Sequence, residues 1–413
     1  MKMEKLLKNA VVGQSGGPTA AINATLAGVI RGTKEHPEAI GTLYGMKNGV
    51  EGFLLEDLVD LTAMFDSEDK LLALAHTPAA ALGSCRKKLP DPDSGDPIYE
   101  RIAEIFEKYN IGYYFYIGGN DSMDAVAKLS RYCGAHGIDV KVVGVPKTID
   151  NDLCGTDHAP GYGSAAKYIA ATVQEIIRDC AVYRVPAVTV VEIMGRDAGW
   201  LTAAAALGRT VNGEEPDLIY LPERVFDMDK FFDDVKAAQK RHPNVVVAVS
   251  EGIRFADGRY VGEGTQSGVA DAFGHKYLAG TGKMLELAIR DNIGCKVRSI
   301  EINLPQRCAA HLQSKTDIDE SLCVGSTAVS AAVGGATRVM MGIERVSDAP
   351  YVANIVASDI NNIANQVRTV PDEYINAESN GITDACVEYL LPLIAGETYP
   401  EYKNGLPVHF IIK

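Results

Sequence analysis

The stretch Val142-Val143-Gly144-Val145-Pro146-Lys147-Thr148-Ile149-Asp150-Asn151-Asp152 decides the fold class. Its first half is a β-branched run bounded by Gly and Pro, with the length and composition of a central parallel strand buried on both faces. Pro146 has no N–H to give to a ladder, so the strand ends there. Beyond it the loop sets out the ammonium of Lys147, the hydroxyl of Thr148 and the carboxylates of Asp150 and Asp152. A solvated turn would also use Asp and Asn. The alternative is a reactive loop, because open α/β sheets carry their active sites just past the carboxyl ends of the strands.

Working outward, other strand ends carry similar turns. Ala10-Val11-Val12-Gly13 reads as a strand and leads through Gln14-Ser15-Gly16-Gly17-Pro18-Thr19 into a helical pattern at Ala21, Ile22, Ala24, Leu26 and Ile30. Paired glycines before a helix N-terminus suit an anion, although a tight βα turn can need Gly for steric reasons alone. The turn is neither a Walker loop nor G-x-G-x-x-G. Ile111 to Ile117 is an aromatic-rich strand running into Gly118-Gly119-Asn120-Asp121-Ser122, and a helix follows with Met123, Val126, Leu129 and Cys133 on one face. In a parallel sheet these turns and the Lys147 loop all face one crevice. Between them Arg86-Lys87-Lys88 is a local reversal of charge in an acidic chain, either an anion contact or a solvated basic face.

Downstream, His158 to Ser164 is a turn-rich entry to a long helix, with Ser164 as the expected N-cap and Ile169, Val173, Ile176, Ile177 and Cys180 as its buried stripe. A strand from Val188 to Met194 delivers Gly195-Arg196-Asp197, where Arg196 is a ligand contact or a surface ion pair. Leu218–Leu221 and Val245–Val249 read as further strands, the second ending at Ser250-Glu251-Gly252, with a charged, solvent-facing helix from Asp227 to Arg241 between them. Gly280-Thr281-Gly282-Lys283 lacks the earlier Gly of a Walker motif and is discounted. A strand near Val297 to Ile302 contains Arg298 and is followed by Arg307. From about Gly334 strand and helix patterns alternate without a legible motif. No period of about 20 to 50 residues repeats, which excludes a solenoid.

Composition narrows the class. A chain of 413 residues exceeds one ordinary core, so two domains are expected. A net charge of −14 opposes nucleic acid and anionic membrane as partners, and requires any phosphate site to be built locally from Arg, Lys and backbone N–H groups. Eight cysteines without a Cys-x-x-Cys pair argue against a disulfide framework or a zinc module. No apolar run approaches the roughly 20 residues of a membrane helix. The start, with Lys2, Lys5 and Lys8, lacks the apolar core of a signal peptide, so a cytoplasmic location is expected.

Together these turns resemble the phosphofructokinase family. The likeness is carried by Ser15-Gly16-Gly17, Gly118-Gly119-x-x-Ser122, Thr148-Ile149-Asp150-Asn151-Asp152, Met194-Gly195-Arg196, Glu251-Gly252 and the pair Arg298 and Arg307. They stand in the family's order and at about its spacing over roughly residues 10 to 310, a highly specific set. The resemblance implies an α/β fold of two Rossmann-like lobes with mainly parallel sheets. The donor lobe is expected over 1–160, completed by about 305–350, and the sugar-phosphate lobe over 161–304, completed by about 351–413.

The same resemblance implies phosphoryl transfer to the 1-hydroxyl of fructose 6-phosphate in glycolysis and gluconeogenesis, with Mg²⁺ as cofactor, in a homo-oligomer. Asp150 is then the general base, with Lys147 and Thr148 beside it. Met194, Gly195, Arg196, Glu251, Arg298 and Arg307 hold the sugar phosphate. Gly16, Gly17, Arg86, Asp121, Ser122 and Lys147 meet the donor, and Asp152 and Asn120 are the metal candidates.

The ATP-using branch has glycine at the positions of Asp121 and Lys147, so this chain resembles the pyrophosphate-using branch, whose reaction is reversible. The stretch His158 to Ser164 and the Ala-Ala-Lys-Tyr-Ile after it also resemble that branch. Asn120 replaces the ATP branch's metal-contacting Asp, Leu304 stands for a family His or Tyr, and Ala187 for an Arg that many members donate from a neighbouring subunit. The rival readings are an ATP-dependent kinase on the same fold and a catalytically silent regulatory subunit; retention of Asp150 speaks against the latter.

Overall fold

The computed structural model describes residues 7–263, 280–363 and 366–412; Lys2 and Lys5 lie outside them. Its principal strands are β1 (Lys8–Gln14), β2 (Ile40–Met46), β3 (Leu58–Asp60), β4 (Ile111–Gly118), β5 (Lys141–Pro146), β6 (Ala187–Ile193), β7 (Leu218–Tyr220), β8 (Asn244–Ser250), β9 (Lys296–Glu301), β10 (Val339–Asp348) and β11 (Tyr351–Asp359). One sheet has the order β11-β10-β5-β4-β1-β2-β3 and the other β7-β8-β6-β9. The second is wholly parallel, and the first is parallel except for its edge strands β3 and β11.

Burial on both faces explains the apolar runs. In β1, Ala10 and Val12 enter one core while Val11 enters the core on the opposite face, and Val143 and Val142 of β5 divide in the same way. The second sheet repeats this: Val191 and Ile193 of β6 face one core, Val188 and Val190 the other. Successive side chains point to opposite faces, so a strand between two helical layers must be apolar throughout.

The structure departs from the sequence reading in the C-terminal part. β11 is joined to β10 by a tight turn and pairs antiparallel with it, Val339 opposite Asp359 and Asp348 opposite Tyr351. A connection that short can only return the chain beside its own neighbour. Residues 351–359 therefore extend the first sheet, and the boundary expected near 350 falls beyond them. The helix Lys315–Val333 belongs to the same lobe. It packs so closely on the helix Ile22–Glu35 that a Cβ on Gly28 would lie 2.2 Å from the Leu322 carbonyl oxygen, and one on Gly325 the same distance from that of Thr25.

Ser164 is not an N-cap. The long helix runs from Tyr162 to Cys180 after Gly161, which takes a left-handed φ of 101°. The Asp317 carboxylate caps it from another helix, accepting from the Gly161 N–H at 2.8 Å and the Ser164 N–H at 2.9 Å. A tertiary carboxylate satisfies the free N–H groups of the first turn, so no local cap is needed. Asp227, by contrast, caps the helix Met228–Arg241 by accepting from the Lys230 N–H, while Phe231, Phe232, Val235 and Ala238 turn inward. All eight cysteines are free thiols. No helix among the described residues is long and apolar enough to cross a membrane.

A buried ionic knot joins the loop after β5 to the β10–β11 hairpin. His158, 2 % exposed, meets Asp157 through Nδ1 at 2.8 Å and Glu320 through Nε2 at 2.7 Å. Arg345 pairs with Asp157, and the Tyr351 hydroxyl donates to Glu320. Burial alone would lower the His158 pKa, but the hydrogen bonds to Asp157 and Glu320 outweigh it and raise the value to about 9. A folded value above the unfolded one of about 6.5 means the protonated ring stabilises the fold fully below about pH 6.5 and loses that contribution as pH rises through about 9. The melting temperature should therefore fall across that window, by the equivalent of about 3 kcal/mol, and the fall should flatten in His158→Gln. The same slope in both proteins would remove His158 as its cause.

Candidate active site

A cleft of about 570 Å³ opens where the carboxyl ends of the two sheets meet. The ends of β1, β4 and β5 bring Gly16, Gly17, Asn120, Asp121, Ser122, Lys147, Thr148, Asp150 and Asp152 to its wall. The ends of β6 and β8 and the loop after β9 bring Met194, Arg196, Glu251 and Arg307, and Arg86 joins from the basic run. Gly195, between Met194 and Arg196, points its N–H toward Glu251 Oε1 at 3.5 Å and accepts from the Ser250 hydroxyl through its carbonyl.

Arg298 is the exception. It lies within β9 opposite Thr189 of β6, short of the carboxyl end at Glu301. There it lines a separate groove with Tyr183, Val185, Ala187 and Asn244. A strand rises about 3.3 Å per residue, so a residue inside the strand stands well back from the cleft rim. The substrate-binding role expected for Arg298 is therefore not met within this cleft.

The glycines of the motifs have steric causes. Gly16 takes φ 76°, and its N–H donates to the Cys85 carbonyl at 3.2 Å, fastening the first turn to the residue before Arg86. A Cβ on Gly252 would sit 1.9 Å from the Arg196 carbonyl oxygen, so the Glu251 turn and the Arg196 turn can touch only if that residue is glycine.

Electrostatics centre on the β5 loop. Lys147 is buried at 3 % exposure and its ammonium donates to the Gly17 carbonyl. Burial pushes its pKa down to about 8, against the pull of Asp150 and Asp152. Burial first and Asp152 second raise Asp150 well above the usual carboxylate range, opposed by Arg196 and Lys147. Burial likewise raises Asp152, opposed by hydrogen bonds from Thr148 and Asn120. Glu251 is pushed up to about 8 by burial and the nearby Asp150 charge.

Thr148 Oγ1 accepts from the Asp150 N–H at 3.0 Å, and Asn120 Nδ2 donates to Asp152 Oδ2 at 3.1 Å. Asn120 Oδ1 is buried with no hydrogen-bond partner, an orphaned acceptor beside two carboxylates. Among the described residues, no three His, Cys, Asp or Glu side chains could hold a metal ion by themselves. Asp121 pairs with Lys88 at 3.4 Å and not with Lys147.

Sequence reasoning missed Gln306, which is 1 % exposed. Its Oε1 accepts from the Met194 N–H at 3.1 Å and its Nε2 donates to the Asn303 carbonyl at 2.8 Å, tying the Arg196 turn to the Arg307 turn. A lone Gln beside an Arg carries no local signal for such a bridge.

The phosphofructokinase family model matches residues 9–323. The chain is 42 % identical over 402 residues to the pyrophosphate–fructose 6-phosphate 1-phosphotransferase of Methylococcus capsulatus, covering 97 % of this chain and 94 % of that protein. The enzyme of the same name from Halomonas elongata is also 42 % identical, over 401 residues, covering 97 % of this chain and 94 % of that protein. The crystal structure of a pyrophosphate-dependent phosphofructokinase from Nitrosospira multiformis superposes with a TM-score of 0.88 at 39 % identity, covering 98 % of this chain and 96 % of that one.

The bridge generates a prediction. Gln306→Leu keeps the volume but strands the Met194 N–H and the Asn303 carbonyl, so the unfolding free energy should fall by about 1–3 kcal/mol. An unchanged denaturation midpoint would show that Gln306 holds neither turn.

Proposed function

The chain belongs to the phosphofructokinase family, and we propose that it transfers a phosphoryl group reversibly from pyrophosphate to the 1-hydroxyl of fructose 6-phosphate, giving fructose 1,6-bisphosphate and phosphate. The observation that carries this reading is the β5 loop, where Asp150 and Asp152 stand beside buried Lys147 between a Gly-Gly turn on one side and Arg196 and Arg307 on the other. Phosphoryl transfer asks a protein mainly for positioning and charge stabilisation, and these residues supply both.

In this reading Arg196, Arg307 and Glu251, with the Met194 and Gly195 turn, seat the sugar phosphate and aim its 1-hydroxyl at Asp150. A carboxylate is a weak base toward an alcohol, so Asp150 takes the proton late, as the new P–O bond forms. Thr148, whose hydroxyl accepts from the Asp150 N–H, fixes that carboxylate's backbone. Gly16, Gly17, Ser122 and Arg86 cradle the donor. Lys147 offers a compact ammonium to the phosphate that departs, a contribution largest in the transition state.

The residues also fit Mg²⁺, which prefers few protein oxygens together with waters and phosphate oxygens. Asp152 and the orphaned Asn120 oxygen would hold it, and when bound it would neutralise phosphoryl charge. The proposal extends to a cytoplasmic homo-oligomer, for which the exposed Val182, Tyr183 and Val185 near Arg298 offer an apolar face.

Donor choice rests on Asp121 and Lys147. A bare carboxylate about 4 Å from the α-phosphate of ATP would cost roughly 4 kcal/mol at an effective dielectric of 20. Lys88 offsets part of that charge, so occupation of the nucleotide path by the Asp121–Lys88 pair outweighs repulsion. Pyrophosphate needs no such path.

Two experiments test the reading. Asp150→Asn keeps the shape and removes the base, so kcat should fall by about 10² to 10⁴ with little change in KM for fructose 6-phosphate; retention of more than roughly a tenth of wild-type turnover would refute the role. Asp121→Gly should admit ATP measurably, and Lys147→Gly should lower pyrophosphate turnover about tenfold or more, the effect of losing about 1.4 kcal/mol of transition-state stabilisation. A double variant that keeps full pyrophosphate turnover and still ignores ATP would sink the donor argument.

A further inference from the structure

Asn151, between the two carboxylates, takes φ 54°, a left-handed conformation that Asn adopts more readily than most residues, and its Oδ1 accepts from the Ala159 N–H at 3.0 Å. It turns the chain so that Asp150 and Asp152 both reach the cleft. The loop is also held by a residue more than two hundred positions away. The Arg368 backbone N–H donates to the Asp152 carbonyl at 2.8 Å, and its Nη1 reaches the Asn151 carbonyl at 3.5 Å. The guanidinium lies 4.3 Å from the centre of the Trp200 ring, and Nη2 donates to the Tyr389 hydroxyl at 3.1 Å. Trp200 Nε1 in turn donates to the Arg368 carbonyl at 3.1 Å, and the Tyr389 hydroxyl donates to the Asp157 carbonyl at 2.7 Å.

The strap that carries Arg368 also touches the other side of the cleft. Glu223 Oε1 accepts both from Val370 N–H and from Gly199 N–H, each at 2.9 Å, and Gly199 ends the turn that presents Arg196. One short segment thus grips the base loop with Arg368 and, through Glu223, the sugar-side turn. The base loop and the Arg196 turn grow from different sheets, so their spacing is not set by either sheet alone.

We propose that Arg368 is a positioning residue for phosphoryl transfer: its backbone N–H holds the Asp152 carbonyl, while its guanidinium, stacked on Trp200 and bonded to Tyr389, fixes that backbone and reaches the Asn151 carbonyl, so that Asp150 is held at the distance from the Arg196 turn that the reaction needs. The inference rests on Asp150 being the base. A planar guanidinium can stack and donate along two directions at once, which an ammonium cannot.

The test is steady-state kinetics of full-length Arg368→Met, Arg368→Lys and Tyr389→Phe beside Asp150→Asn, with pyrophosphate, fructose 6-phosphate and Mg²⁺. Misplacing a reacting group by about 1 Å can cost about a hundredfold. Arg368→Met should therefore lose roughly tenfold or more in kcat while both KM values stay within about threefold, and Arg368→Lys should not restore it. Tyr389→Phe should lose less, and its combination with Arg368→Met should be no worse than Arg368→Met alone, since both break one network. A change confined to melting temperature, or rescue by Arg368→Lys, would overturn the clamp. Should Arg368→Met fail to fold, Tyr389→Phe decides: a lower kcat at unchanged KM supports the clamp, and wild-type kcat overturns it. An inactive Asp150→Asn beside a fully active Arg368→Met would end this inference alone, whereas an active Asp150→Asn would end the base assignment with it.

Discussion

Two carboxylates one residue apart share a loop where neither is well solvated, and the cleft is arranged around the cost of keeping Asp150 and Asp152 charged together. Burial raises both and the Asp152 charge raises Asp150 further, while Arg196 and Lys147 oppose the rise at Asp150, and hydrogen bonds from Thr148 and Asn120 together with Lys147 oppose it at Asp152. Lys147 bears the reverse burden, its own charge disfavoured by burial. Against an overall charge of −14, Arg86, Lys88, Lys147, Arg196 and Arg307 place positive charge locally in the cleft.

The geometry that makes this possible is interlobe. β5 delivers the carboxylates from one sheet, and β6 and β8 deliver Arg196 and Glu251 from the other. Gly252, in contact with the Arg196 carbonyl, and Gln306, between Met194 and Asn303, set the Arg196 and Arg307 turns as one unit. The C-terminal chain then ties the units together: Asp317 caps the helix Tyr162–Cys180, Glu320 and Arg345 close the ionic knot at Asp157 and His158, and Arg368 reaches the Asp152 carbonyl.

What could be read beforehand follows from this division. β1, β4, β5, β6 and β8 are buried on both faces, so their apolar runs and the turns at their ends stand out in the sequence, and the cleft residues came with them. β2, with glycines at Gly41 and Gly45 and exposed residues between buried ones, has no such run. Arg298 stands inside β9 and lines another groove of this chain, a placement that motif spacing, which counts residues and not the rise of the strand, does not show. Ser164 has the look of a local cap in the sequence because nothing near it announces Asp317. Gln306 and Arg368 act through backbone carbonyls and N–H groups of distant residues, contacts that side-chain patterns do not encode.

The central claim is that the chain exchanges a phosphoryl group between fructose 1-oxygen and inorganic phosphate without a nucleotide. The most direct measurement runs the reaction backwards: fructose 1,6-bisphosphate, Mg²⁺ and either phosphate or ADP are incubated with the protein and followed by phosphorus NMR. Pyrophosphate should appear with phosphate, and no ATP with ADP. Formation of ATP from ADP, with no pyrophosphate from phosphate, would contradict the account.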